Sequence, residues 1–248
     1  MKAMILAAGK GTRMRPLTDK MPKALLPVQG VALLEHTIRY LKYYGITEII
    51  INVHHHAKQI IDFIEKNNSF GIRIEFSDET DELLDTGGGL YKARWFFDET
   101  EPFILTSSDV ITDLDLNNLV GFHKKNKPLV SLAVKHRNSS RDFLFDQQYH
   151  LCGWHNNVNG ETKLIREVAN PVKIGFSTIH CISPSIFRLI TERGCFSIVD
   201  SYLRLAVAHT IMGFEHDQSR WIECGRIENY PLLNEEPEIR EIYNKYQD

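Results

Sequence analysis

Ala3-Met4-Ile5-Leu6-Ala7-Ala8-Gly9-Lys10-Gly11-Thr12-Arg13-Met14-Arg15-Pro16-Leu17-Thr18 carries a short apolar run into a loop with two glycines, a hydroxyl and three cations. The run from Ala3 to Ala8 holds no polar side chain, as a buried strand should. Glycine has no Cβ, so its backbone N–H groups can approach a phosphate closely. Arg13 and Arg15 can each fork onto phosphate oxygens, which lysine cannot do. Two common phosphate loops are excluded. Met14 stands where a dinucleotide fingerprint needs its third glycine, and no G-x-x-x-x-G-K-[ST] run is present. The segment is read as a strand followed by a phosphate-binding loop of a different kind.

Outward from this loop, apolar runs and helical stripes alternate. Leu34, Ile38 and Leu41 give Leu33 to Tyr44 a helical face, and Gly45 stops it. Glu48 to Val53 reads as a buried parallel strand. Ile60, Ile61 and Ile64 mark a helix running to Asn67, and Ile72 to Phe76 a strand. A helix is expected over Leu90 to Phe97, with Trp95, Phe96 and Phe97 in the core. Phe103 to Thr106 and Leu129 to Val134 read as strands around a helix at Leu116 to Lys125. This order predicts an α/β layered fold, Rossmann-like, with a mainly parallel sheet and flanking helices. After Lys135 the texture becomes antiparallel, with strands in Phe143 to Trp154 and Lys173 to Cys181. Helices are expected from Ser183-Pro184 through Ile190 and over Asp200 to His209. This part reads as a small lobe attached to the first sheet.

The chain has 248 residues, 43% of them hydrophobic and 25% charged, with a net charge of −3. These values suit one globular domain and exclude disordered, collagen-like and coiled-coil chains. The balance gives no case for a nucleic-acid binder. Cys152, Cys181, Cys195 and Cys224 form no C-x-x-C pair, which excludes a zinc ribbon and reads as reduced cytosolic thiols. No stretch approaches the ~18 apolar residues of a membrane span. The N-terminal apolar run is too short for a signal peptide. A cytoplasmic protein is expected. His54-His55-His56, placed on a strand, would alternate between faces and could not chelate a metal together.

Leu6-Ala7-Ala8-Gly9 through Thr18, followed by Pro22-Lys23-Ala24-Leu25-Leu26-Pro27-Val28, resembles the signature of the sugar-1-phosphate nucleotidyltransferases. Thr86-Gly87-Gly88-Gly89, Ser108-Asp109 and Trp221 to Arg226 follow in the family's order. Within the family the chain is most similar to N-acetylmuramate-1-phosphate uridylyltransferases and mannose-1-phosphate guanylyltransferases. The resemblance implies the nucleotide-diphospho-sugar transferase type of fold over residues 1–248. It places a nucleotide-binding half at about 1–115 and an antiparallel sugar-binding lobe at about 116–230. It implies nucleotidyl transfer from a nucleoside triphosphate to a sugar 1-phosphate with Mg2+, in a stand-alone monomer or homodimer. UTP and N-acetylmuramate 1-phosphate are the favoured pair. A guanylyl- or thymidylyltransferase for mannose or another hexose 1-phosphate is the nearest alternative, and a catalytically weak nucleotide-sugar-binding protein the rival from another class.

The resemblance also assigns roles. Leu6, Ala8, Gly9, Gly11, Thr12, Arg13 and Lys23 would bind the nucleotide, with the Gly9 to Arg13 backbone cradling the triphosphate, Arg13 stabilising the departing pyrophosphate and Lys23 reaching the α-phosphate. Arg15 is as well explained by a structural ion pair. Thr86, Gly87 and Gly88, ahead of a helix beginning at Leu90, would lie against the base. Ser107, Asp142 and Lys173 would face the sugar and its phosphate. Asp109 and Glu223 would hold the metal. Glu223 stands where the family's W-x-D-x-G-T has aspartate, and Arg226 where it has threonine.

Overall fold

The computed structural model describes residues 1–247. Its first half contains β1 (Ala3–Leu6), a hairpin of β2 (Pro27–Val28) and β3 (Val31–Ala32), α1 (Leu33–Tyr43) and β4 (Glu48–Val53). There follow α2 (Ala57–Lys66), β5 (Arg73–Asp78), α3 (Asp85–Lys92), β6 (Phe103–Ser107), β7 (Val110–Thr112) and α4 (Leu116–Asn126). The second half contains β8 (Val130–Lys135), β9 (Arg141–Phe145), β10 (Leu151–Asn156), β11 (Thr162–Leu164) and β12 (Val172–Ile182). It closes with α5 (Ile186–Leu189), α6 (Ile198–Leu205), β13 (Ile211–Glu215), β14 (Trp221–Glu223), α7 (Tyr230–Leu233) and α8 (Pro237–Lys245). Among the described residues no helix is long and apolar enough to cross a membrane.

Ten strands form one mixed sheet, and β5, β4, β1 and β6 lie side by side and parallel. The alternation of side chains explains why these strands are apolar throughout. Ala3, Ile5, Ile49 and Ile51 enter the core on one face, Met4, Ile50 and Leu105 the core on the other. Each such aliphatic side chain contributes roughly 1.5–3 kcal/mol by leaving water. β1 is thus central, and its C-terminal loop opens at the sheet edge where open α/β sheets bind ligands.

β12 joins the two halves. Residues 172–175 pair with β9, and residues 179–182 pair with β6 on the same side. Between them the ladder to β8 slips, and Thr178 takes a left-handed φ of 59°. This bulge bends the strand and leaves a gap between β9 and β6. Phe176, Thr178 and His180 line a cleft at that gap.

Four expectations need correction. The triple glycine does not precede a helix but lies inside α3, which begins at Asp85 rather than Leu90 and ends at Lys92. Glycine is a poor helix former, yet here close neighbours require it. A Cβ on Gly87 would strike the Phe196 ring, and one on Gly88 the Gly194 carbonyl. Trp95 is 60% exposed, while Phe96 is buried and Phe97 stacks on Phe103 at 4.0 Å. The helix expected at Asp200 to His209 starts at Ile198 and ends at Leu205, because the Ser197 hydroxyl caps it by accepting from the Val199 N–H at 3.2 Å. The helix expected after Ser183-Pro184 is the single turn of α5.

Gly88→Ala should cost about 2–3 kcal/mol, since the obstacle is a backbone carbonyl that cannot rotate away. Gly121, exposed in α4 with nothing within 4 Å of a built Cβ, is the control. Gly121→Ala should raise stability by about 0.5–1 kcal/mol. Urea unfolding of the two variants checks both signs.

Candidate active site

The loop after β1 is pinned at both ends. The Ala7 N–H donates to Asn52 Oδ1 at 2.7 Å, and the Thr18 hydroxyl donates to the Gly11 carbonyl at 2.8 Å. Gly11 has a φ of 63°, and a Cβ there would lie 2.8 Å from Thr18 Cγ2, so glycine is required. Among the described residues, the N–H groups of Ala8, Gly9, Lys10 and Gly11 have no protein partner. Four successive free amides form a concave donor surface suited to an anion. Thr12 and Arg13 continue the loop in a single 3-10 turn, and the Arg13 carbonyl accepts from the Ile227 N–H at 3.2 Å. Arg15 instead pairs with Asp19 at 3.3 Å on the surface.

Asp109 follows β6, which runs parallel to β1. β7 and β14 form a two-stranded ribbon that sets Glu223 opposite Val110, and the Cys224 N–H donates to the Asp109 carbonyl at 2.9 Å. Two carboxylates 114 positions apart therefore stand at the same end of the ribbon, Asp109 in the turn before β7 and Glu223 on β14. Each already has a cation. Lys23 Nζ contacts Asp109 Oδ2, with both side chains under a fifth exposed. Arg13 Nη1 and Arg226 Nε each lie 3.4 Å from Glu223. Burial alone would raise the Asp109 carboxyl. The Lys23 ammonium, a Ser107 hydrogen bond and the Arg13 charge outweigh it and hold Asp109 below the usual range. Burial beside Asp109 pushes the Cys224 thiol up to about 12, which makes it inert.

The cleft has a volume of roughly 1100 Å3 and brings together Leu6, Arg13, Thr86, Ser107, Asp109, Asp142 and Glu223. Ala8 is buried beneath the loop. The Gly87 and Gly88 N–H groups are not open to a ligand, because both donate to the Phe196 carbonyl, at 2.9 and 3.3 Å. Thr86 Oγ1 accepts from the Ile198 N–H at 3.0 Å. Ser107 Oγ meets Thr178 Oγ1 at 2.9 Å across the β12 bulge. Both Asp142 oxygens are held, by the Ser139 hydroxyl at 2.5 Å and Asn157 Nδ2 at 2.6 Å. Lys173 is exposed on β12 and does not line the cleft. His54, His55 and His56 lie in the turn after β4 and not on the strand. Among the described residues they form no three-ligand group. His136, Glu215 and Asp217 do, within 4.8 Å of one another.

The nucleotidyl transferase family model matches residues 2–143. The chain belongs to the nucleotidyl transferase family. An N-acetylmuramate alpha-1-phosphate uridylyltransferase of Neisseria meningitidis is 44% identical over 115 residues, which are 46% of this chain and 49% of that protein. A mannose-1-phosphate guanyltransferase of Yarrowia lipolytica is 30% identical over 234 residues, 93% of this chain and 62% of that protein. The chain thus spans about half to three fifths of the length of these relatives. A UDP-glucose pyrophosphorylase structure from Acinetobacter baumanii superposes with a TM-score of 0.78 at 16% identity, covering 98% of this chain and 97% of that one. The expected nucleotide-diphospho-sugar transferase type of fold is therefore present.

Two supporting residues of this family member complete the site, and of these Asn52 carries no motif signal, whereas Gly225 is the glycine of the Trp221 to Arg226 motif. Asn52 ties the loop to Glu79: its Nδ2 donates to Glu79 Oε1 at 2.7 Å, and the Leu84 N–H donates to the other oxygen at 3.1 Å. Burial raises the fully enclosed Glu79 carboxyl. An isolated polar residue in an apolar strand was the available cue for Asn52. Gly225 is tighter still. A Cβ there would lie 2.6 Å from Lys23 Nζ and 2.9 Å from Asp109 Oδ2. Both obstacles are side-chain ends that can move, so Gly225→Ala should keep the fold but displace the ion pair. A 10–100-fold fall in kcat with Tm changed by less than about 3 °C is the expected outcome.

Proposed function

We propose that the chain transfers a nucleotidyl group from a nucleoside triphosphate to a sugar 1-phosphate, releasing pyrophosphate. One observation carries this reading: Lys23 is bound to Asp109 and Arg13 to Glu223, and Arg13 belongs to the loop whose four preceding amides are free among the described residues. An acceptor phosphate oxygen attacks the α-phosphorus, and the bond from that phosphorus to the β-phosphate oxygen breaks. The acceptor is already anionic, so no general base is required. Catalysis reduces to alignment and neutralisation of charge.

In this reading the amides of Ala8, Gly9, Lys10 and Gly11, with Thr12, form the cradle for the β- and γ-phosphates, and Leu6, which lines the cleft, borders the nucleotide. Arg13 stabilises the leaving pyrophosphate, and Lys23 neutralises charge gathering on the α-phosphate. Thr86 borders the nucleotide, and Gly87 and Gly88 support it by keeping α3 close to Phe196. Ser107 and Asp142 border the sugar. Asp109, in the turn before β7, and Glu223, on β14, offer two hard oxygen donors, each balanced by a cation, which fits magnesium with its preference for few carboxylates plus substrate phosphates. When bound, that ion supplies Lewis-acid stabilisation of the reacting phosphates. Residues of about 1–115 form the nucleotide-binding half and about 116–230 the sugar-binding lobe.

The favoured substrates are UTP and N-acetylmuramate 1-phosphate. The 44% identity to the Neisseria protein supports that pair. A panel of UTP, GTP, dTTP and CTP crossed with N-acetylmuramate, mannose and glucose 1-phosphates, read by pyrophosphate release, tests it. The highest kcat/KM should fall on UTP with N-acetylmuramate 1-phosphate. A maximum with GTP and mannose 1-phosphate would replace that pair and keep the reaction.

A further inference from the structure

We propose that Arg137, together with Arg226, binds the phosphate of the acceptor sugar. This rests on the transferase reading above. Arg137 follows β8 at the start of the connection to β9, on the side of the cleft built by the antiparallel strands. Its guanidinium lies over the Trp221 ring, 4.0 Å from the centroid. Nη2 donates to the Phe176 carbonyl at 2.8 Å. Nη1 reaches the Asn138 carbonyl only at 3.5 Å, and the buried Nε has no partner. Among the described residues no carboxylate lies within ion-pair distance of it. Gly175 makes room for the side chain, since a Cβ there would lie 3.1 Å from Arg137 Cγ and Nε.

A half-buried guanidinium without a carboxylate is costly unless an anion arrives. Burial does pull the Arg137 guanidinium below its usual range, and the charges that act on it are Glu223, Asp142 and Arg226. Strand alternation fixes the direction. Trp221 and Glu223 are two residues apart on β14, so they share a face. Stacking on Trp221 therefore sets the guanidinium on the Glu223 side of the ribbon. Arg226, 3.4 Å from Glu223, lines the same wall. On this wall Arg13 and Arg226 are each paired with Glu223 and Lys23 with Asp109, whereas among the described residues Arg137 has no carboxylate partner. The triphosphate has its own donors in the loop after β1. The unpaired Arg137 guanidinium, on the side of the cleft built by the antiparallel strands, suits the second anion of the reaction, the acceptor phosphate. It also fills the role that Lys173, outside the cleft, does not take.

The test measures KM for each substrate separately, using the pair with the highest turnover. Arg137→Ala should raise the acceptor KM about 10–100-fold and change the triphosphate KM less than about threefold. Arg137→Lys keeps the stem without the fork and should fall between. Arg226→Thr should raise the acceptor KM by about 3–10-fold. An unchanged acceptor KM in Arg137→Ala, or an equal rise in both KM values, overturns the assignment. If Arg137→Ala does not fold, the same two comparisons on Arg137→Lys decide.

Calorimetric titration with inorganic phosphate provides a readout without turnover. The wild-type protein should bind it, and Arg137→Lys should bind it at least about fivefold more weakly. Equal binding by both, or none by the wild type, counts against the Arg137 site even if transferase activity is found. Phosphate binding lost in the variant, with no turnover of any pair by the wild type, would keep the anion site and refute the transferase reading.

Discussion

Asp109→Asn should lower kcat/KM for nucleotidyl transfer by about 10³-fold, roughly 4 kcal/mol, while leaving the fold intact. The side chain has two functions that cannot be separated by geometry. Its carboxylate neutralises Lys23, and it lines the cleft to which the proposed reaction assigns the phosphates. The amide is nearly the same shape, so packing is unchanged. It has no charge, so it leaves the Lys23 ammonium unpaired in a site less than a fifth exposed. That should cost about 1–3 kcal/mol of stability. Glu223→Gln should cost less activity, about 10–100-fold, because Glu223 is 27% exposed and shared by two arginines. Steady-state rates at several magnesium concentrations separate the two variants. Excess magnesium should partly restore Glu223→Gln and leave Asp109→Asn inactive. Equal activity of Asp109→Asn and wild type would remove Asp109 from the mechanism.

The second large effect is acid instability well above the carboxylate range. Four histidines are buried with few or no acidic partners. Burial lowers His36, His123 and His216 to about 4 and His180 to about 3. His123 lies between two hydroxyls, Ser131 and Ser183, each at 3.0 Å. His180 meets the Tyr202 hydroxyl at 2.8 Å, and His216 the Ser177 hydroxyl at 2.7 Å. Each folded pKa is lower than the unfolded value, so the unfolded chain takes up protons first as pH falls. The stabilisation is complete above about pH 6.5 and is lost progressively towards pH 4. One such histidine forfeits about 2 kcal/mol between pH 7 and pH 5. Together they should remove several kcal/mol from a domain whose stability is on the order of 5–15 kcal/mol. Tm measured from pH 7.5 to 5 should fall by 10 °C or more. A flat Tm over that range would contradict the neutral buried histidines.

The chemistry carried by neighbouring residues was legible in the sequence. The strand, two glycines and Arg13 are contiguous, and Glu48–Val53 needed only an unbroken apolar run. The pairing of Asp109 with Glu223 was accessible only through the family motif, because a ribbon between distant strands creates it. What escaped was set by distant contacts. The glycines of α3 look like a helix break until Phe196 and Gly194 are seen against them. Trp95 has an apolar ring but an exposed position, which no local pattern specifies. Arg137 had no motif, and its meaning comes from Trp221, 84 residues later. Lys173 was expected near the sugar phosphate from its place ahead of a strand alone, and it does not line the cleft.

The central claim is that an acceptor phosphate attacks the α-phosphorus of a triphosphate in this cleft. Mass spectrometry with a sugar 1-phosphate fully labelled with oxygen-18 in its phosphate tests it most directly. All of the label should appear in the nucleotide sugar and none in pyrophosphate. Label in the pyrophosphate, or no nucleotide sugar from any substrate pair, would contradict it.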